Sequence, residues 1–364
     1  MRLAQHSLPK MNPENDGGKE HSVGFSFCPL EDGVERAQPR FGGKTLFVSD
    51  TRSMGCFATF ARNLRSISVV FESDALPLFS MPDGVGSVFA AGGEETLKAA
   101  RFFAAVRRVP CVLFPAEAHL RGVLEERGEI LLCGKHSRVP LARGEIKIDL
   151  DLCKSSFAEA FASLLSARLA LIEQHALQIF CGKDKSLLFE QMFTLTEVSH
   201  EPDAGELVFR NYAIKSLQQR GAPAGECEVL AQMHRAAGDS FPIWRSYVEL
   251  SALYGAFFAC GKPRKYAVPD YDSRARRANT KFCNVKVPTP EEYETRASLL
   301  EQMRPVFSAE LQLLQDRKEF FENVFRKFTA QEPPKVNFAL VKTLPEQVPE
   351  GLSAIIRDFG LLDF

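Results

Sequence analysis

The chain has 364 residues, of which 45% are hydrophobic and 25% charged, as expected for a globular protein with room for two domains. A formal net charge of −1 gives no electrostatic basis for binding nucleic acid or a membrane surface, and we expect neither as a partner. The nine cysteines form no C-x-x-C pair and predict free thiols in a reducing cytoplasm.

The beginning of the chain is polar. It contains Asn12-Pro-Glu-Asn-Asp-Gly-Gly18 and lacks the apolar core of a signal peptide. We interpret residues 1–40 as a leader that is disordered or loosely attached. No apolar stretch anywhere approaches the roughly 20 residues that a membrane span needs.

Residues 41–153 alternate between strand and helix patterns. The apolar runs predict strands over 44–50, 67–72, 87–91, 109–114 and 145–151, and a hairpin around Gly134. Helical spacing is found over 54–64 and again after the strand at 87–91. This alternation predicts a Rossmann-like parallel sheet with both faces covered, forming a nucleotide-binding-like α/β domain.

Residues 154–364 carry helical spacing only. Ser155 or Ser156 is a plausible start for a long helix over 157–180. Further helices are predicted over 187–196, 206–219, 226–236, 243–259, 290–303, 305–328 and 344–359. The second half is therefore predicted to be an all-helical domain.

The most informative segment is the turn between the third strand and its helix, Ala91-Gly92-Gly93-Glu94. Bare backbone N–H groups at a helix N-terminus can bind a pyrophosphate, so Gly92 and Gly93 either form a tight turn only or admit a dinucleotide. Asp50 ends the first strand, at the edge where open α/β sheets bind ligands, or else caps the turn that follows it.

Four segments together resemble the dehydroquinate synthase-like superfamily, which includes iron-containing alcohol dehydrogenases, glycerol dehydrogenase and sn-glycerol-1-phosphate dehydrogenase. The turn at Gly92 stands where the family has G-G-G-S. Pro115-Ala-Glu-Ala-His-Leu-Arg-Gly122 looks like the family's P-T-x-x-S-x-D-G loop. Ile148-Asp-Leu-Asp151 and Phe161-Ala-Ser-Leu-Leu-Ser166 are similar to the strand and helix at the family's domain boundary.

With the resemblance, we expect NAD or NADP to contact Asp50, Gly92, Gly93, Glu94, Ala116 and His119. Glu94 replaces a phosphate-binding serine, and a carboxylate there repels a pyrophosphate. Arg101 falls near a helix lysine of the family and is expected to compensate in part. His119 and Arg121 lie on the loop after Pro115, where they either hold an anionic group as a pair of cations or are solvated.

The resemblance also implies where the family's metal ligands would stand. The aspartate position is Ser163, and the two histidine positions are Phe241 and Tyr247. No histidine follows His234. A serine, a phenylalanine and a tyrosine make a poor divalent-metal site, so we expect the chain to lack the family metal.

Two functional hypotheses follow. The first is a divergent NAD(P)-dependent oxidoreductase, acting on a small polyol or phosphorylated alcohol without the family metal. The second is a non-catalytic binding or regulatory protein that keeps the dehydrogenase fold. Both place a small ligand in the cleft between the domains and leave a homo-oligomer open. Glu249, at the glutamate of the family's H-G-E, is expected on a helix surface or in an interdomain salt bridge.

Overall fold

In a computed structural model, residues 25–62, 65–184, 186–260, 289–334 and 337–359 are described. Among these described residues, eight strands precede the long helical part of the chain. They are β1 (Phe25–Phe27), β2 (Lys44–Ser49), β3 (Ser66–Val70), β4 (Val85–Gly92), β5 (Cys111–Pro115), β6 (Arg127–Leu132), β7 (Lys135–Pro140) and β8 (Glu145–Ile148). Six of them form a parallel sheet in the order β1-β8-β5-β4-β2-β3, and β6 pairs with β7 as an antiparallel hairpin.

Helices accompany this sheet and then continue alone. They are α1 (Leu30–Ala37), α2 (Leu76–Phe79), α3 (Glu94–Arg107), α4 (Leu150–Cys153), α5 (Phe157–Cys181), α6 (Phe189–Thr196), α7 (Ala204–Gln219), α8 (Glu226–Ala236), α9 (Pro242–Cys260), α10 (Pro290–Gln315), α11 (Lys318–Thr329), α12 (Leu344–Gln347) and α13 (Leu352–Asp358). Within the described residues, no strand follows Ile148. The predicted fold class, an α/β region with a parallel sheet followed by a helical region, is therefore confirmed.

The central strands are buried on both faces of the sheet. Successive side chains of a strand point to opposite faces, so they divide between two cores. Phe47, Phe89 and Phe114 face the smaller core, where α1 packs with Val34. Their neighbours along the same strands face the larger core that is shared with α3. The near-continuous apolar runs of β2, β4 and β5 are what a parallel sheet covered on two sides requires.

Four sequence predictions are wrong in detail. The leader cannot extend to residue 40, because β1 pairs with β8 and α1 packs on the sheet. Residues 54–62 form turns and a short 3₁₀ segment (Phe60–Arg62) instead of the predicted helix. No break occurs at Pro305, which lies inside the 26-residue α10, whereas the predicted helix over 344–359 is divided into α12 and α13.

Helix α5 is the central element of the helical region. The stretch from Leu150 to Cys181 is apolar and long enough to cross a membrane, with a mean hydropathy of 1.3 in its most apolar window, so the sequence prediction on this point is corrected. In the structure 83% of that window is buried within the protein. Its apolar surface is thus covered by neighbouring helices, as in the core helix of a globular protein.

Two carboxyl groups are buried side by side in the helical core. Glu173 on α5 accepts hydrogen bonds from the Glu226 backbone N–H at 2.8 Å and from the Tyr254 hydroxyl at 3.0 Å. Glu226 accepts one from the Ser353 backbone N–H at 3.0 Å. Neither forms an ion pair with any described cation. Burial therefore raises the pKa of both carboxyl groups, and repulsion from Glu226 raises the pKa of Glu173 further.

Candidate functional site

The glycine turn lies at the carboxyl edge of the sheet, as predicted, and Asp50 reaches it from the end of β2. The Asp50 carboxylate accepts a hydrogen bond from the Ser53 backbone N–H at 2.8 Å and another from the Gly93 backbone N–H at 2.9 Å. It therefore caps its own turn and the N-terminus of α3 together. Gly92 has a φ of 151°, and a Cβ there would lie 2.7 Å from an Asp50 oxygen, so glycine is required.

A second carboxylate reaches the same helix end from the loop after β5. The Glu117 carboxylate accepts a hydrogen bond from the Glu94 backbone N–H at 3.3 Å. The neighbouring Ala116 backbone N–H donates to the Gly92 carbonyl at 2.8 Å, which fixes this loop beside the turn. Glu117 is a site residue that the sequence analysis did not single out.

The Glu94 side chain turns away from the helix end towards three cations. Its carboxylate oxygens lie 2.5 Å from Lys98 Nζ, 3.7 Å from Arg121 Nε and 3.6 Å from Arg235 Nη1. Arg235 belongs to α8, so this cluster joins the α/β region to the helical region. Burial alone would raise the pKa of Glu94, but Arg121 and Lys98 outweigh it and hold the pKa at about 2.

The predicted pair of cations on the loop after β5 is wrong for one member. His119 is 4% exposed, and burial lowers its pKa to about 4, so the imidazole is neutral near pH 7. Its Nδ1 accepts a hydrogen bond from the Arg121 backbone N–H at 3.4 Å. Arg121 is thus the one permanent positive charge of the pair.

Arg101 does not compensate for the altered turn either. Its buried guanidinium donates to the carbonyl oxygens of Ala142 at 2.7 Å, Gly122 at 2.5 Å and Glu125 at 2.5 Å. The bonds to Gly122 and Glu125 hold the connection between β5 and β6 in place, and the bond to Ala142 ties it to the connection between β7 and β8. It is a structural residue of this connection, and its donors are not turned to the glycine turn.

The residues of the turn do not fit the pyrophosphate of a dinucleotide. That group binds by accepting hydrogen bonds from backbone N–H groups at the start of a helix. Here the N–H groups of Gly93 and Glu94 already donate to Asp50 and Glu117. Each carboxylate is also negative, so a phosphate in the same place would lose its donors and meet electrostatic repulsion.

The three family ligand positions do not form one site. Ser163 on α5 lines a narrow crevice, together with Arg121 and Cys227. Tyr247 on α9 is buried and lines a different cavity, of ≈ 290 Å³. Phe241 packs edge-on against Phe325, with the ring centroids 5.1 Å apart. A metal ion does not fit this set, and among the described residues no group of three or more His, Cys, Asp or Glu side chains has the arrangement of a metal site.

Glu249 is a structural residue in the interior, which corrects the expected surface or interdomain position. It is fully buried, and its carboxylate contacts His234 Nε2 at 3.0 Å and accepts a hydrogen bond from the Asn337 backbone N–H at 2.9 Å. His234 Nδ1 contacts Asp239 at 2.6 Å on the opposite side of the ring. This chain of three side chains connects α8, α9 and the segment before α12.

A cleft separates the α3 side of the sheet region from α7 and α8. Its volume is ≈ 320 Å³, and its walls come from α3, the β5–β6 connection, the β6–β7 hairpin and the two helices. Arg121 lies at its inner end, where it also lines the crevice that contains Ser163. This cleft lies between the two regions, where a small-molecule site is predicted; the ligand itself stays a prediction.

No protein-family model and no curated protein matches the sequence. Among solved structures, the chain is similar to a probable glycerol dehydrogenase from Sinorhizobium meliloti, at 10% identity and a TM-score of 0.48, over 94% of this chain and 98% of that one. It is similar to a glycerol dehydrogenase from Schizosaccharomyces pombe at 12% identity and a TM-score of 0.46, over 94% and 90%. An iron-containing alcohol dehydrogenase from Corynebacterium glutamicum matches at 11% identity and a TM-score of 0.44, over 92% and 97%.

Proposed function

We propose that this chain is a non-catalytic binding protein that keeps the architecture of the dehydrogenases it resembles and uses the cleft between its two regions for a small ligand. The observation that carries the proposal is the occupation of the α3 N-terminus by the chain's own carboxylates. Asp50 and Glu117 accept the hydrogen bonds that a dinucleotide would need. A protein that satisfies its phosphate-binding donors internally has no use for the cofactor at that place.

The residues at the family's metal positions support the same proposal. Dehydrogenase chemistry in this family requires a cation that polarises the alcohol oxygen. Ser163, Phe241 and Tyr247 offer neither a carboxylate nor an imidazole. Burial raises the pKa of the Tyr247 hydroxyl, so this side chain stays protonated near neutral pH and does not supply a negative oxygen.

The alternative is an NAD(P)-dependent oxidoreductase for a small polyol or phosphorylated alcohol. One observation favours it: Asp50, Gly92, Gly93 and Ala116 do meet at the carboxyl edge of the sheet, where such sheets bind nucleotides. Under either hypothesis we expect a cytoplasmic protein, since Cys28, for example, is one of seven free cysteines among the described residues.

Binding of NAD or NADP distinguishes the non-catalytic binding protein from the oxidoreductase. We expect neither NAD nor NADP, at millimolar concentration, to raise the melting temperature of the purified protein, with or without added Zn²⁺, Fe²⁺ or Mn²⁺. We also expect no change in absorbance at 340 nm when glycerol or propanediol is added with either cofactor. A shift in melting temperature that Gly93→Val abolishes, in a variant that still unfolds cooperatively, would contradict the proposal.

A gain-of-binding variant tests the physical reason. Glu117→Ala removes one negative charge and frees the Glu94 backbone N–H, so at millimolar NAD it should show a rise in melting temperature that wild type lacks. Glu126→Ala removes an exposed carboxylate from the same connection between β5 and β6 and should have no such effect. Equal behaviour of the two variants would show that the carboxylate at the helix end does not oppose the cofactor.

A further inference from the structure

The cleft between the two regions carries more charge than its internal ion pairs account for. Five basic and four acidic side chains line it: Lys98, Arg121, Arg127, Arg138 and Lys215, with Glu94, Glu125, Glu129 and Glu228. Both lysines are neutralised by glutamates that line the same cleft, because Lys98 pairs with Glu94 at 2.5 Å and Lys215 pairs with Glu228. The three arginines remain, together with Glu125 and Glu129, and neither of these glutamates forms an ion pair with the three arginines among the described residues.

Arg121 is the buried member of these three. It is 8% exposed, and the carboxylate nearest to it is that of Glu94, 3.7 Å from Nε. Glu94 is shared with Lys98 and Arg235, so it compensates Arg121 only in part. Within the described ranges, the Arg121 guanidinium makes no hydrogen bond. A planar cation with free donors at the inner end of a cleft is suited to a carboxylate or phosphate.

Arg127 and Arg138 lie at the rim, on the two strands of the β6–β7 hairpin. Both are exposed, and neither forms an ion pair or side-chain hydrogen bond in the part of the chain that the structure describes. The hairpin residue that faces Arg138 in register is Glu129, whose carboxylate instead lies 3.2 Å from His136. The positive charge of the rim is therefore directed to the cleft opening without an internal partner.

We propose that this cleft binds a small molecule that carries a phosphate or carboxylate group, with Arg121 as the inner anchor and Arg127 and Arg138 at the rim. This inference rests on the proposed function, since it assigns the chemistry of the ligand in the same cleft. A volume of ≈ 320 Å³ is at the lower end of small-molecule pockets and excludes a polymer. His119 is neutral, so it adds no positive charge to the site; it accepts a hydrogen bond from the Arg121 backbone N–H.

The test uses the full chain and four probes at constant ionic strength: inorganic phosphate, glycerol 3-phosphate, succinate and chloride. Calorimetry and melting temperature should report saturable binding of a phosphate or a carboxylate compound at millimolar or lower concentration, with no saturable effect of chloride. Preference for the phosphate probes or for succinate identifies the group. Failure of all of them to exceed chloride would overturn the proposal.

Variants locate the binding. Arg121→Gln should weaken the affinity of the best probe at least tenfold, and Arg121→Lys should retain part of it because the positive charge stays. Should Arg121→Gln prove unstable, the double variant Arg127→Gln/Arg138→Gln changes exposed side chains only and should weaken binding about fivefold. Arg36→Gln, an exposed arginine on α1, is the control and should not change affinity. Equal affinities across all variants would place the anion elsewhere.

Failure of the anion site and failure of the proposed non-catalytic function give different results. If NAD binds and depends on Gly93 while the anion probes depend on Arg121, the non-catalytic hypothesis is wrong and the anion site stands. If neither NAD nor the anion probes bind, the anion site is wrong while the loss of the cofactor stands. NAD binding that depends on Arg121 and not on Gly93 would mean that its phosphates occupy the arginine cleft.

Discussion

Glu94 at the cleft and the pair Glu173 and Glu226 in the helical core are all removed from water, but their surroundings differ in sign. Glu94 meets three cations from three elements, and its pKa falls to about 2. Glu173 and Glu226 meet only neutral donors and each other, and their pKa values rise. Burial alone thus does not decide whether a carboxyl group is charged; the counter-charge that the fold brings to it does.

The first prediction removes the charged carboxylate of the cleft. Glu94→Ala leaves Lys98 and Arg121 without their main partner and should lower the free energy of unfolding by about 2–4 kcal/mol at pH 7. Because the folded pKa of Glu94 is depressed, its contribution is complete above its unfolded pKa and is lost as the pH falls from about 4.5 towards 2. Urea denaturation should show that the difference in unfolding free energy between wild type and Glu94→Ala is smaller at pH 3 than at pH 7.

Glu95→Ala is the matched control, since Glu95 lies in the same turn of α3, is 60% exposed and approaches Lys98 only to 3.6 Å. Its effect should stay below about 0.5 kcal/mol. If Glu94→Ala and Glu95→Ala lower the free energy of unfolding equally, the ion pairs of Glu94 do not stabilise the fold more than an exposed pair does. The contrast between Glu94 and the buried pair Glu173 and Glu226 would then not hold.

The second prediction concerns the cluster without cations. The folded pKa of Glu173 is raised, so this group costs stability that grows as the pH rises above the unfolded pKa and is complete above the folded one. Glu173→Gln removes this penalty and should raise the free energy of unfolding by about 1 kcal/mol at pH 8, with no gain at pH 4. Denaturation curves across this pH range measure it.

Glu301→Gln, on the exposed side of α10, should show no such pH-dependent gain. A loss of stability in Glu173→Gln at pH 8 would mean that the two acceptors of the carboxyl group, used by Tyr254 and by the Glu226 backbone, matter more than its charge.

The third and smallest effect is expected from the cation that α8 contributes. Arg235 is 41% exposed and lies 3.6 Å from Glu94, so Arg235→Gln should cost about 0.5 kcal/mol at low salt and less at 1 M salt. Arg220→Gln, another exposed arginine of the helical region, provides the baseline. An effect as large as that of Glu94→Ala would mean that this one ion pair holds the two regions together.

The strand–turn–helix unit around Gly92 could be predicted from the sequence, because local apolar spacing and glycine chemistry determine it. The segment at 54–62 could not, since Phe57 has helical spacing but packs with Phe47, at a ring distance of 4.8 Å, from a series of turns. Contacts with the sheet override the local preference there.

For the candidate site, the sequence indicates candidate residues but not their hydrogen-bond partners or their charges. The sequence points to Gly93 and Glu94 but not to their hydrogen-bond acceptors, which lie 43 and 23 residues away along the chain. The neutral charge of His119 follows from complete burial, which a loop sequence does not indicate. Arg235 lies on another element altogether, so its contact with Glu94 required the fold.

The order of the sheet also has a consequence for the path of folding. β1 is an edge strand whose partner is β8, and the Ser26 hydroxyl meets Lys147 across a sequence separation of 121 residues. Closing so long a loop costs entropy that no local contact offsets, so this pairing is expected to form late. During synthesis β1 must wait until residue 148 has left the ribosome, and β1 stays unpaired and available to other strands until then.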